Sequence, residues 1–433
     1  MNLTIDFASD AGKIKPMNAV NNGPVYTKNS DQNSGNLADY TAANIPFART
    51  HDASFFPKYG GAHTVDVHMI FPNFDADPYS PESYDFQLTD EYLETIQMAG
   101  TQVFYRLGSK IEHESKKYGT LPPKDFTKWA VICEHIIMHI NEGWANGHHM
   151  GVVYWEIWNE PDEYDKCWGG TPEQFHELFA ITAKHLKSQF PHLKIGGPAV
   201  TGYNEKWLRP FFKKLRSEQI PLDFYSWHCY SRTVEWVAEC ARRHRALLDE
   251  YGYTETESIL NEWNYVTGFC GDDWIYSIEK IISMKGAAFA AAVMSACQTE
   301  PVDLLMYYDA RPCVMNGLFS FYTYKRLKGY YAISSWGEML KKGNARRISC
   351  SVPNIYAAAA GDENGIMALI TYYIDHDEAA AKTFTVKLEG IDDAPRSIYL
   401  LDERHDLEKV GEVYPDNGAF TLSLNANSVV VIK

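Results

Sequence analysis

Positive charge is scarce in this chain of 433 residues. It carries 40 Lys and Arg residues against 56 Asp and Glu residues, which gives a formal net charge of −16 at pH 7. Nucleic acids and anionic membrane surfaces attract clustered cations, so this deficit argues against both as partners. The sequence also lacks any apolar run long enough to span a bilayer. We therefore expect neither a nucleic-acid nor a membrane partner.

Cysteine motifs and targeting signals are missing as well. The eight cysteines are scattered without a C-x-x-C pair, which argues against a zinc ribbon and a redox motif. The first ten residues, MNLTIDFASD, lack the basic start and apolar run of a secretory signal. These absences predict a cytoplasmic protein with reduced thiols, and they leave open an oligomer of identical chains.

Short apolar runs alternate with longer amphipathic segments from about residue 45 to about residue 340. This alternation predicts βα units and a parallel sheet. The predicted strands are 45–52, 65–72, 102–109, 152–160, 194–200, 223–230, 258–265 and 303–310. The predicted helices are 125–145, 172–190, 205–217, 233–251 and 274–297. Eight strands over roughly 300 residues are typical of a (β/α)8 barrel. A doubly wound open sheet is the rival, but no glycine-rich phosphate motif follows the first strand.

The chain changes character from about residue 345 onward. Short strand-like runs such as TFTVKLEG and SVVVIK are separated by Asp, Asn, Gly and Pro, which predicts a β-sandwich. The opening run NLTIDF is similar and is expected to pair with it. We therefore predict a catalytic barrel at 12–343 and an accessory β-sandwich domain formed by 1–11 plus 344–433.

Two strands end in a glutamate among aromatic residues. The fourth predicted strand reads WEIWNEP, so alternation is expected to turn Glu156, Trp158 and Glu160 into the barrel. Glu160 would then lie at the carboxyl end, where barrel enzymes place their chemistry. Glu262 ends the seventh predicted strand, SILNEWNY. Two such carboxylates facing each other are the apparatus of glycoside hydrolysis.

These strings resemble those of the clan A glycoside hydrolases. EIWNEPD, KIGGPAV, SWHCY, LNEWN and the early RTHD segment resemble glycoside hydrolase family 39 in particular, which holds β-xylosidases and α-L-iduronidases. The resemblance implies a retaining enzyme with Glu160 as the acid/base and Glu262 as the nucleophile. It also implies that Asn159 hydrogen-bonds the sugar 2-hydroxyl, and that no cofactor or metal takes part.

The resemblance leaves the sugar open, because RTHD stands where that family has Arg-x-His-Gly. The leading expectation is an exo-acting enzyme that removes a terminal β-D-xylosyl unit from an oligosaccharide substrate. An α-L-arabinosyl, galactosyl, glucosyl or uronic acid unit is the alternative within the same class. A catalytically silent barrel that binds oligosaccharide is the alternative outside it.

The remaining candidates are polar and aromatic residues near the predicted strand ends. The residues expected to bind substrate are Arg49, His51, Asp52, Asn159, His228, Tyr230, Trp263 and Tyr308. Purely structural roles in the barrel core are the alternative for Arg49 and His228. His135 and His139 lie four residues apart on a predicted helix, followed by His148 and His149, but H-E-x-x-H is absent. We therefore expect solvated helix histidines and no metal site.

Overall fold

The structure is a computed structural model that describes residues 2–26, 35–51, 54–56, 60–363 and 365–433, with the backbone alone at 54–56 and 60–63. Eight parallel strands form a closed barrel, in the order β10-β11-β2-β3-β6-β7-β8-β9. They are β2 (Ala19–Asn21), β3 (Phe47–Arg49), β6 (Gln102–Leu107), β7 (Tyr154–Ile157), β8 (Lys194–Val200), β9 (Phe224–Ser231), β10 (Glu257–Tyr265) and β11 (Leu304–Tyr307). The predicted barrel is confirmed.

Ten α-helices lie among the described residues. They are α1 (Leu37–Ala42), α2 (Val67–Ile70), α3 (Gln87–Met98), α4 (Phe126–Glu142), α5 (Pro172–Gln189), α6 (Glu205–Ser217), α7 (Val234–Glu250), α8 (Gly271–Ile281), α9 (Met284–Cys297) and α10 (Lys328–Lys342). Their ends follow local chemistry. A capping box of Thr171 and Gln174 begins α5, and Gly143 ends α4 with a φ of 78° that favours glycine.

The predicted helices and one predicted strand need correction. The predicted helix 274–297 is two helices, α8 and α9, bent by 78° at the break between them. No single helix in the described ranges is long and apolar enough to cross a membrane; only this bent pair passes such a test by length and composition. The prediction missed α1, α3 and α10. It also counted 65–72 as a strand, where Val67 and Ile70 instead bury one side of the short helix α2.

The true first barrel strand is β2, which the prediction missed. It is only three residues long and is flanked by asparagines, so it offers no apolar run to recognise. Arg49 therefore ends the second barrel strand and not the first. The numbering of the later strands is unaffected, since one missed strand replaces one wrong strand. Glu160 still follows the fourth strand, and Glu262 still lies on the seventh.

A sheet of nine strands stands beside the barrel, in the order β17-β16-β19-β14-β13-β12-β1-β15-β18. Its strands are β1 (Asn2–Lys13), β12 (Asn344–Cys350), β13 (Ile355–Asp362), β14 (Gly365–Tyr372), β15 (Lys382–Glu389), β16 (Arg396–Leu401), β17 (Asp406–Val413), β18 (Ala419–Leu424) and β19 (Ser428–Ile432). A separate hairpin joins β4 (Ser54–Phe56) and β5 (Gly60–His63). The opening run pairs as expected, since β1 lies antiparallel to β12 and parallel to β15. The domain limits at 12–343 and 344–433 stay a prediction.

Side chains on alternate sides of this sheet enter different cores. Phe384 of β15 and Val430 of β19, from distant places in the strand order, share one core, so the sheet encloses it like a sandwich. Val429 and Val431, which flank Val430, belong instead to the barrel's core beside α9. Burial on both sides explains why β19 reads as an unbroken apolar run.

Strand β1 gives a test of this arrangement. Ile5 is fully buried in the sheet's own core, whereas Thr4 is only half-buried on the opposite side of the strand. We expect Ile5→Ala to lower the free energy of unfolding by about 2–5 kcal/mol, because it leaves a cavity. Urea denaturation measures the change, with Thr4→Ala as the matched control. If Ile5→Ala and Thr4→Ala lower the free energy of unfolding equally, Ile5 is not buried in the core of the sheet.

Candidate active site

Arg49, at the end of β3, connects most of the polar side chains inside the barrel. Its guanidinium is fully buried. Its Nε lies 2.6 Å from Oε2 of Glu156, and its Nη1 lies 2.7 Å from Oε1 of Glu262. It also donates to Oδ1 of Asn159 at 2.7 Å and to Oδ1 of Asn21 at 3.0 Å. One cation therefore sets the positions of four side chains from three parts of the chain.

Glu156 is the structural carboxylate of this network. It is fully buried, and both of its oxygens are engaged. Oε2 faces Arg49, while Oε1 accepts hydrogen bonds from Ser226 at 2.6 Å and Asn261 at 2.5 Å. A carboxylate with both oxygens paired and no exposed surface has no oxygen left for chemistry. It holds Arg49 in place.

Glu160 reaches the barrel mouth through an irregular turn after β7. The backbone φ is 74° at Trp158 and 46° at Glu160, both in the left-handed region that L residues rarely adopt. Each such residue costs about 1–3 kcal/mol and typically marks a functional site. The turn is held by the N–H groups of Trp158 and Glu160, which donate to carbonyls of Leu107 and Ala199 at 2.7 and 2.8 Å.

This turn corrects one prediction. Simple alternation was expected to place Trp158 inside the barrel with Glu156 and Glu160. The regular strand ends at Ile157, and the ring of Trp158 packs outward instead, 5.8 Å from the ring of Trp129 on α4. The prediction assumed a straight strand through residue 160, whereas the positive φ at Trp158 interrupts the alternation.

Glu262 is directed inward by a β-bulge. The pairing of β10 with β9 is regular up to Leu260 opposite Trp227, and it resumes with Glu262 opposite His228. The extra residue is Asn261, whose side chain binds Glu156 inside the barrel. Without the bulge, alternation would turn Glu262 to the same side as Leu260, away from the interior. The bulge therefore places two successive side chains, Asn261 and Glu262, inside.

Glu160 and Glu262 face each other across His228. The ring Nδ1 of His228 lies 2.8 Å from Oε1 of Glu160 and 3.5 Å from Oε2 of Glu262. One oxygen of each glutamate and one nitrogen of His228 all lie within 4.8 Å of one another. Tyr230, two residues along β9, donates a hydrogen bond of 2.8 Å to Oε2 of Glu262. By charge and spacing, Glu160, His228 and Glu262 can also hold a cation.

The surroundings of Glu262 favour its ionised form. Burial alone would raise its pKa, but the charges of His228, His51 and Arg49 outweigh burial and hold the pKa of Glu262 well below its usual range. His51 contributes directly, with Nε2 2.9 Å from Oε1. Glu160 differs in exposure: 17% of its side chain is accessible, against 5% for Glu262. The site therefore pairs a buried anion with a more accessible carboxyl.

The other residues expected at the site divide into three groups. Asn159, His51 and Tyr308 lie in it, since Asn159 binds Arg49 and the ring of Tyr308 meets that of His51 edge-on at 5.3 Å. Asp52 falls outside the described residues. Trp263 does not face the site: it is fully buried and packs outward on Phe289 of α9, because it follows the inward-facing Glu262.

Several residues at the site escaped sequence reasoning. Cys167 donates a weak hydrogen bond to Oε2 of Glu160 at 3.6 Å. Asn21 lies on the missed strand β2, so it could not be placed. Phe269 is 62% exposed, and its ring meets that of Tyr230 edge-on at 5.3 Å and stacks on Trp274 at 5.9 Å. The two aromatic residues in GFCGDDW, in a polar and glycine-rich stretch after the seventh strand, were an available signal.

Comparison with known proteins identifies the family. A sequence model described as "Glycosyl hydrolases family 39" matches residues 52–264, which include Glu160 and Glu262. Residues 52–264 belong to glycosyl hydrolase family 39. The family proposed from the sequence strings is thereby confirmed.

Two curated relatives of this chain are named as β-xylosidases. The chain is 28% identical to that of Caldicellulosiruptor saccharolyticus over 239 residues, 53% of this chain and 46% of the relative. It is 30% identical to that of Geobacillus stearothermophilus over 115 residues, 27% of this chain and 23% of the relative. The matches thus span less than half the length of either relative.

The fold extends the likeness to the whole chain. A glucosidase of Croceicoccus marinus superposes with a TM-score of 0.81 at 22% identity, covering 100% of this chain and 98% of that one. At this identity the likeness establishes the fold, a barrel accompanied by a strand-rich sheet.

The low pKa of Glu262 predicts how stability depends on pH. A carboxyl whose pKa is depressed by folding stabilises the protein above its unfolded pKa, and this contribution is lost as pH falls through the folded pKa. We expect the free energy of unfolding to fall less steeply with acidification in Glu262→Gln than in the parent. Urea titrations at neutral and acidic pH measure this, with the exposed Glu408→Gln as the control. If the free energy of unfolding depends on pH equally in the parent and in Glu262→Gln, the pKa of Glu262 is not lowered by folding.

Proposed function

We propose that the chain is a retaining glycoside hydrolase that removes a terminal sugar by double displacement. The observation that carries the proposal is the pair formed by Glu160 and Glu262, with facing oxygens within 4.8 Å across the mouth of a barrel. Retaining enzymes hold their two carboxyl groups about 5–5.5 Å apart, whereas inverting enzymes leave about 6.5–9.5 Å for a water molecule. The short gap favours retention.

The surroundings support different roles for the two carboxyls. Glu262, kept ionised by Arg49, His51 and His228, attacks the anomeric carbon as the bond to the leaving oxygen breaks. Glu160, which is more exposed, gives its proton to that oxygen. A glycosyl ester on Glu262 and a free alcohol result. Glu160 then takes a proton from water, whose oxygen attacks the anomeric carbon and releases Glu262.

Neighbouring side chains bind and orient in this scheme. Tyr230 and Arg49 hold separate oxygens of Glu262, so the carboxylate plane is set before substrate arrives. Asn159 has its amide oxygen bound by Arg49, which directs its N–H groups toward a sugar hydroxyl. We propose Asn159, His51 and Tyr308 as glycone contacts. No step requires a cofactor.

A terminal β-D-xylosyl unit is the proposed glycone. The two curated relatives support it, because both are named as β-xylosidases. The separate match to family 39 includes both glutamates. An aryl glycoside panel covering β-D-xylosyl, β-D-glucosyl, β-D-galactosyl, α-L-arabinosyl and uronyl groups tests the choice. The highest kcat/KM is expected for the xyloside. A higher kcat/KM for another sugar would identify that sugar as the glycone, without changing the proposed mechanism.

Loss of either glutamate should identify its role. Glu160→Ala is expected to lower kcat/KM for an unactivated xyloside by about 10²–10⁴-fold, because proton donation is lost. With an activated aryl xyloside, azide should restore turnover and give a glycosyl azide of retained configuration. Glu262→Gly should lose on the order of 10⁴-fold or more and give, with azide, the inverted anomer. Product analysis by NMR distinguishes the two.

The matched control is Glu163→Ala, a partly exposed glutamate on the same loop as Glu160. It should keep near-parental activity. Near-normal turnover by Glu262→Gly would overturn the nucleophile assignment. If the parent cleaves no glycoside yet still binds oligosaccharide, the chain is the catalytically silent barrel instead.

Phe269 and Trp274 are proposed to form a platform for the aglycone. Phe269 is exposed beside Tyr230, which itself contacts Glu262, so a ring leaving the active site would pass over it. Phe269→Ala should lower kcat/KM for xylobiose about 10-fold or more while leaving that for xylosyl fluoride, which has no aglycone ring, unchanged. An equal loss on both substrates would show that Phe269 is merely structural.

A further inference from the structure

A second cluster of potential ligands lies on the outside of the barrel. It consists of Asp90 on α3, His139 on α4 and His148 in the segment before β7, and we call it the Asp90 cluster. Nε2 of His139 lies 3.0 Å from Oδ1 of Asp90, and Nε2 of His148 lies 3.4 Å from Oδ2. The ligand atoms of all three residues lie within 4.8 Å of one another.

The hydrogen bonding of His139 requires a proton or a metal ion between its ring and Asp90. Its Nδ1 lies 2.9 Å from the carbonyl oxygen of Trp144, which can only accept, so Nδ1 must carry a proton. In the neutral ring, Nε2 then presents its lone pair to the carboxylate of Asp90. Two lone pairs at 3.0 Å repel unless a cation lies between them, either a second proton or a metal ion.

The arrangement around the cluster shares three features with protein metal sites. Metal-binding histidines commonly donate the second ring N–H to a backbone carbonyl, as His139 does to Trp144. His139 is buried, and its ring stacks on that of Phe86 at 3.5 Å. His148 is held in register by its N–H, which donates to the carbonyl of His139 at 2.7 Å. Asp90 and His148 are partly exposed, which gives an ion access from solvent.

We propose that the Asp90 cluster binds one divalent transition-metal ion, with Zn²⁺ as the best match. Two imidazole nitrogens and a carboxylate oxygen suit Zn²⁺ better than Mg²⁺ or Ca²⁺, which prefer all-oxygen ligands. The ion links α3, α4 and the segment that leads into β7. This corrects the expectation of solvated helix histidines, since His135 and His139 are both buried. His135 binds a backbone carbonyl and is not part of the cluster.

Titration with Zn²⁺ and with spectroscopically visible Co²⁺ tests the proposal. The titrations use the full chain with Glu160→Ala, because that change removes one ligand from the other potential cation site. We expect one ion per chain, visible Co²⁺ absorption bands and a higher Tm. His148→Ala should weaken binding at least about 100-fold and abolish the rise in Tm. His149→Ala, a change at the adjacent exposed histidine, is the matched control.

Either of two results would overturn the metal site. If neither Zn²⁺ nor Co²⁺ binds, the Asp90 cluster is not a metal site. If His148→Ala and His149→Ala weaken binding equally, the ion is held by surface histidines in general. Both results are independent of glycosidase activity, so they leave the proposed function untouched.

Discussion

The buried charge of Arg49 is the constraint on which the site depends. A guanidinium without exposed surface is costly unless every side of it meets an acceptor, and loss of one partner from such a pair typically costs about 3–5 kcal/mol. Its acceptors come from β2, from β7 and the turn after it, and from β10. These strands must therefore place their acceptors at the same level along the barrel axis as Arg49. The same contacts that pair the charge also fix Glu262 and Asn159.

Two irregularities of the backbone then determine which side chains face the barrel interior. A regular β10 would direct Glu262 away from the barrel interior, and a regular β7 would carry Trp158 into it. The bulge at Asn261 and the left-handed turn at Trp158 reverse both outcomes. Such features cost stability locally, and here they are held by hydrogen bonds to neighbouring strands and by the network around Glu156.

The nine-stranded sheet supports the same side of the barrel. Asp375, in the segment after β14, accepts a hydrogen bond of 2.7 Å from Tyr265, at the end of the strand that carries Glu262. Lys285 of α9 is almost fully buried and binds both Asp375 at 3.2 Å and Asp377 at 2.5 Å. Small side chains along α9 let the sheet approach closely. The accessory sheet thus holds β10 and α9 from outside the barrel.

The sequence by itself determined the features that follow a regular pattern, such as the alternation of strands and helices. Apolar runs with interleaved helices indicated the barrel, and the strand-end position of WNEP indicated Glu160, because both follow from regular backbone geometry. Glu262 in LNEWN was assigned through the family resemblance, since alternation along a regular β10 would turn it outward. Strand β2 was too short and polar to recognise. Tertiary structure alone decided how Glu262 turns inward, where Trp158 and Trp263 pack, and that His139 meets Asp90. Those outcomes depend on a bulge, a left-handed turn and contacts between distant segments, none of which a local pattern encodes.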